Sequence, residues 1–180
     1  MGLYTNNISY IRKEERVVDG LVVYFCMAIT LHNLEEAIWL PKWSQHSSQF
    51  QKAVSSSEFR FAVIVITLLA YLSAFSYSYI PSSNLTKWIF IGFLGSMIIN
   101  AIFPHLVATV LMKKYAPGLL TGLLLNIPIN LFIIYQMLAE NLILWKELVV
   151  STVVIGFLIL LLIPLLFKIG KKTSHFLHID

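Results

Sequence analysis

The chain has 180 residues, 58% of them hydrophobic and 12% charged, with a mean hydropathy of +0.78 and a formal net charge of +4. Soluble domains carry about a quarter of their residues as charge, so a soluble fold is excluded. At roughly 20 apolar residues per crossing, the length suits four or five spans with no separate soluble domain. The Lys and Arg residues flank apolar runs rather than forming a stripe among exposed aromatics, which argues for no nucleic-acid partner. A single cysteine, Cys26, rules out an intrachain disulfide.

The apolar runs predict an all-α fold: a polytopic transmembrane helix bundle, one domain over residues 1–180, with spans near 18–40, 59–80, 86–112, 117–139 and 147–168. The runs are long and continuously apolar, unlike the alternating strands of an outer-membrane barrel. The first follows Arg12, Lys13 and Arg16 and lacks a small-residue cleavage site, so it is expected to persist as a span. It carries His32-Asn-Leu-Glu35-Glu36, and Pro41-Lys-Trp43 marks its expected end. Residues 41–58 read as a polar, Ser/Gln-rich loop, either solvated or lying along the interface with Trp43 and Phe50 as anchors.

The second span offers only Thr67 at the depth of these ionisable groups. The third holds Gly92 and Gly95-Ser96, which suit close helix packing, then Asn100, Pro104 and His105, and closes at Lys113-Lys114. The fourth opens on Pro117-Gly118, continues through the Gly118-x-x-x-Gly122 pattern and bears Asn126 and Asn130, one turn apart. The fifth is apolar at the matching depth, from Phe157 to Leu160, and residues 169–180 read as a basic tail on anionic lipid. His46, His175 and His178 fall in the loop and tail and read as solvated. Five spans put the termini on opposite faces. Arg12, Lys13, Arg16, Lys87 and Lys146 fall on the N-terminal side and the other basic residues opposite, a bias that predicts a cytoplasmic C-terminus in the plasma membrane.

The charged groups of the first span are costly in hydrocarbon and call for partners. At 100° per residue, His32, Glu35 and Glu36 share one helix face. Counting from the span ends puts His32 and His105 at one depth, and Asn126 reaches the same layer from the opposite direction. Asn100 and His105 would point apart on a straight helix. Pro104 leaves the Asn100 carbonyl without its N–H partner, and a kink or widened turn there brings the two together; Pro128 likewise frees the Leu124 carbonyl. Spans one, three and four are therefore expected to form a site. Asn126 and Asn130 also suit interhelical hydrogen bonding, and Gly118 and Gly122 suit helix packing, within the chain or across a homodimer.

HNLEE at 32–36, the Asn100–His105 pair and Pro117-Gly118 together resemble the HXXEE family of integral membrane proteins, named for its motif and also carrying an N-x4-H pair and a PG pair. All three elements occur in order, from residue 32 to residue 118. That family is uncharacterised and suspected of enzymatic activity, so the resemblance implies a site without naming a reaction.

Two imidazoles and two carboxylates suffice for a His2Glu zinc site with an open position. They also supply half or more of a di-iron or di-manganese carboxylate site. The metal ligands would come from His32, Glu35, Glu36 and His105. The glutamate left over, Glu35 or Glu36, would act as general base, and Asn100 or Asn126 would stabilise a developing oxyanion. The function expected is a metal-dependent membrane enzyme, hydrolase or oxidase, acting on a lipid-like substrate from the bilayer. A metal-free acid/base lipid isomerase and a proton-coupled transporter or channel are the alternatives.

Overall fold

The computed structural model describes residues 2–46 and 53–177, with side chains described over 20–46 and 53–176. Among these residues every regular element is helical: α1 (Gly2–Gln45), α2 (Ser56–Tyr79), α3 (Asn84–Asn100), a π-helical turn (Ala101–Leu106), α4 (Val107–Met112), α5 (Leu119–Thr121), a second π turn (Gly122–Asn126), α6 (Ile127–Ala139) and α7 (Trp145–Leu177). They make five helices long and apolar enough to cross a membrane: Gly20–Gln45, Ser56–Tyr79, Asn84–Met112, Leu119–Ala139 and Trp145–Phe176.

α3 is the hub. Phe90 to Met97 are buried without interruption, because α3 is packed between α7, α2 and α6, and Phe25 of α1 covers Phe90. Phe90 stacks on Tyr77 at 5.2 Å and meets Phe25 edge-on at 5.4 Å. The glycines of α3 permit close approach to α7: a Cβ on Gly92 would lie 2.4 Å from Ile155, and one on Gly95 1.9 Å from Thr152. Ser96 Oγ completes the contact, donating its one proton to the Gly92 carbonyl at 2.6 Å with the Thr152 carbonyl 3.3 Å away. Gly95→Ala is accordingly expected to cost about 1–3 kcal/mol, the usual penalty of overpacking; an unchanged melting midpoint in detergent would contradict this packing.

Two helices outrun their expected ends. α1 continues through Pro41 to Gln45. Proline deprives the carbonyl four residues back of its N–H, here Ala37, and Arg60 Nε from α2 donates to that oxygen at 3.3 Å. The 41–58 loop thus loses its first turn to α1. Its far end folds back: Val54 is buried with Leu40 and Phe59, and its N–H donates to Ser44 Oγ at 3.3 Å. A Ser55–Glu58 capping box then starts α2. Phe50 lies outside the described residues. α7 likewise runs on to Leu177, so most of the 169–180 tail is helical. The reason is tertiary support beyond the apolar run: Gly170 presses on Phe61 and Glu58 of α2. His46 and His175 are exposed, and His178 lies outside the described residues.

The buried stripe of α1 follows the helical period through Val22, Phe25, Ile29, His32, Asn33, Glu36 and Leu40. His32 and Glu36 are thus the polar continuation of a core face. α7 is the most apolar of the five spans, and its Val153, Phe157 and Leu161 are exposed, as on a helix whose outer face meets lipid.

Candidate metal centre

His32 and Glu36 stand one turn apart on α1, which aims both at the π turn of the third span. There Phe103 leaves helical geometry (φ −125°, ψ 118°), and the break redirects His105 back toward Asn100. Asn100 Nδ2 then lies 3.1 Å from His32 Nε2 and 3.4 Å from His105 Nε2. The two rings meet edge to face, 5.3 Å apart. Glu36 Oε1 lies 2.7 Å from His105 Nε2 and 3.5 Å from His32 Nε2. One ligand atom from each of His32, Glu36 and His105 falls within 4.8 Å of the others. All three residues are buried.

The donor set fits a divalent ion. Bonds of about 2.0–2.2 Å to a shared tetrahedral centre put ligand atoms roughly 3.3–3.6 Å apart; the His32–Glu36 separation of 3.5 Å meets this, while Glu36 and His105, at the hydrogen-bond distance of 2.7 Å, would have to move apart by somewhat under 1 Å. Asn33, between them in sequence, turns to α2, where its Nδ2 donates to Thr67 Oγ1 at 2.7 Å.

Glu35 is not in the group. Its carboxylate caps the start of the fourth span, where the first N–H groups of a helix lack internal acceptors. Oε1 accepts from Gly118 N at 2.8 Å and from the Tyr115 hydroxyl; Oε2 accepts from Thr121 N at 3.0 Å and Thr121 Oγ1 at 2.5 Å. The 100° between neighbouring helix positions is enough to send the two glutamates to different partners. The Tyr115 ring is half exposed, but its hydroxyl lies between Glu35 and Leu120 N. Burial of that hydroxyl, then its bond to Glu35, pushes Tyr115 up to about 12 and keeps it a donor.

Thr121 links Glu35 to His32. Its single hydroxyl proton goes to Glu35, so at His32 Nδ1, 3.2 Å away, Thr121 Oγ1 can only accept. That pattern puts the His32 proton on Nδ1 and leaves the Nε2 lone pair facing Glu36 and His105. Tyr115 and Thr121 escape a search for metal-ligand residue types. Their signal is the need for acceptors at a helix start set against apolar surroundings. Thr121→Val should weaken metal affinity about 10–100-fold, the usual effect of losing a hydrogen-bond partner behind a ligand, while Thr121→Ser retains it. Equal metal titrations for both variants would dismiss the relay.

Gly118 adopts φ +93°, and a Cβ there would lie 2.8 Å from His105 Cε1. A Cβ on Gly122 would lie 2.9 Å from Ala101 Cβ and 3.7 Å from His32 Cε1. The Gly118–Gly122 pair therefore packs inside the chain, against the site itself. Asn126, expected in the same layer, is fully buried, but neither amide atom has a hydrogen-bond partner, so it makes no bond to the cluster. Asn130 donates to the Leu94 carbonyl at 3.4 Å while its Oδ1 is unpartnered.

A family model described as a protein of unknown function with HXXEE motif matches residues 23–133. The uncharacterised protein YrkK of Bacillus subtilis (strain 168) is 72% identical over 153 residues, covering 85% of this chain and 97% of its own. No solved structure matches the chain.

Proposed function

The chain belongs to the HXXEE family, and from that membership and its buried His/Glu cluster we propose a metal-dependent enzyme of the membrane that acts on a lipid-like substrate. The observation that carries the reading is the convergence of His32, Glu36 and His105 within 4.8 Å. Two histidines and one carboxylate make a single-metal set, and Glu35, held by four donors, offers no ligand for a second ion and is not free to act as base. Such a set suits a zinc hydrolase with an open position, and equally a non-haem iron oxidase. A bound ion would supply Lewis-acid or redox chemistry. The chain's own part is to hold the imidazoles through Thr121 and Glu36, to exclude water by burial, and to present the Asn100 amide beside the ligand atoms, where a substrate oxygen can be oriented. The bias of basic residues supports a cytoplasmic C-terminus.

Elemental analysis of the detergent-purified protein tests this. About one transition-metal ion per chain is expected, lost in His32→Ala and in Glu36→Ala at unchanged size-exclusion profile. Zinc would select hydrolysis and iron oxidation. Protein that remains metal-free after supplementation would sink the reading. It would favour a proton-coupled transporter, for which the unpartnered amide atoms of Asn126 and Asn130 offer an internal polar track.

A further inference from the structure

A groove of about 750 Å³ runs along the outer face of α1 and meets the start of the fourth span. Its α1 wall is one helical stripe, Leu31, Leu34, Glu35, Ile38 and Trp39, spaced i, i+3, i+4, i+7 and i+8. The two leucines, Ile38 and Trp39 are about half exposed, as side chains are where a spanning helix meets lipid. Trp43 and Tyr115 complete the wall toward the end of α1.

Glu35 is the charged residue of this lining, and its charge lacks a counterion. Four donors on two oxygens is the bonding of a carboxylate rather than of an acid, and every one of those donors is neutral: Gly118 N, Thr121 N, Thr121 Oγ1 and the Tyr115 hydroxyl. Among the described residues the ion pairs of α1 belong to Glu36, and no Lys, Arg or His nitrogen pairs with Glu35. Dipoles solvate the carboxylate without neutralising it, so in a low dielectric it still attracts a cation. Indole and phenol rings add to that attraction, because their π faces draw ammonium groups, and the groove holds three such rings.

Depth follows from the same bonds. Gly118 and Tyr115 belong to the 113–118 connector between the third and fourth spans, so the carboxylate bonded to them sits at the membrane edge, at head-group level. Leu31 lies about 6 Å deeper along α1. Lys113 and Lys114 on that connector are exposed and outside the lining. They would suit the phosphate of any phospholipid, so the choice of head group falls to Glu35 and the three rings.

Going beyond the enzyme reading, we propose that this groove binds a zwitterionic phospholipid with an ammonium head group. The ammonium lies between Glu35 and the rings of Trp39, Trp43 and Tyr115, and one acyl chain follows Leu34 and Leu31 into the bilayer. The site is independent of what the His32 cluster holds.

The test uses the full-length protein in nanodiscs of uncharged digalactosyldiacylglycerol, with a trace of photoactivatable phosphatidylethanolamine or phosphatidylglycerol of identical chains, each bearing a mid-chain diazirine. Label on Val153, Phe157 and Leu161, the exposed residues of α7, measures ordinary bilayer contact. Relative to it, the ethanolamine probe is expected to label residues 31–39 about fivefold more than the glycerol probe. That ratio should fall to about one in Glu35→Gln, and by about half in Trp39→Leu, which keeps an apolar side chain at an exposed position. Equal labelling of the wild type by the two probes would overturn the proposal and leave the aromatic residues as interfacial anchors only; that comparison needs no variant to fold. A preference that survives in both variants would overturn it as well, because the head group would then be chosen elsewhere. Loss of label to excess phosphoethanolamine would overturn it by assigning the groove to a soluble amine.

Discussion

Glu35→Ala is expected to destabilise the protein by about 3–5 kcal/mol, because it strips the acceptor from two backbone N–H groups and a hydroxyl in an apolar setting, each costing about 1–3 kcal/mol when unpaired. The groups are Gly118 N, Thr121 N and Thr121 Oγ1. Tyr115, half exposed as a residue, can rotate its hydroxyl out to water once Glu35 is gone and adds little. Metal affinity should fall as well, since Thr121 then has no carboxylate to receive its proton and no longer dictates the His32 tautomer. Glu35→Gln should be intermediate in both respects, because its carboxamide oxygen accepts but its NH2 cannot. Denaturation in mixed micelles, with hydrogen exchange at residues 118–121, reads the effect. A stable Glu35→Ala protein with protected amides there would show that the fourth span starts without this cap.

The second large effect is at Gly118. An alanine would have to hold φ +93°, which costs a side chain about 1–2 kcal/mol. It would also push the His105 ring away, at about 1–3 kcal/mol of overpacking. Gly118→Ala is thus expected to lose about 2–5 kcal/mol and, since His105 is one of the three proposed ligand residues, most of any bound metal. Gly20→Ala is the control: nothing lies within 4 Å of a Cβ there, and the helix should gain up to about 1 kcal/mol. Should Gly118→Ala retain both its midpoint and its metal, the Pro117-Gly118 turn does not support His105.

Both predictions concern a part of the site that no ligand-type residue advertises. Hydropathy alone marks five spans, since a bilayer leaves little besides long apolar helices as a solution. Depth, counted along each span, puts His32, His105 and Asn126 in one layer; the two histidine rings meet at 5.3 Å, whereas Asn126 makes no bond to them. Pro104 was a readable warning that the third span would not be straight, and the backbone break falls at Phe103 beside it.

Where a helix stops was less legible. Pro41 is a sound breaker by local rules, yet α1 passes through it because Arg60, 19 residues further on, supplies a donor to Ala37. Charge after Phe167 ends the apolar run without ending α7, because α2 continues to pack against Gly170.

The sequence by itself thus determined the all-helical, membrane-spanning class and the depth of the polar layer, because rise per residue and transfer free energy act along a single helix axis. Only the tertiary structure decided the division of labour between Glu35 and Glu36. Both belong to one stripe of α1, and the choice between metal group and helix cap depends on which neighbour each meets: His105 for Glu36, the Gly118–Thr121 turn for Glu35.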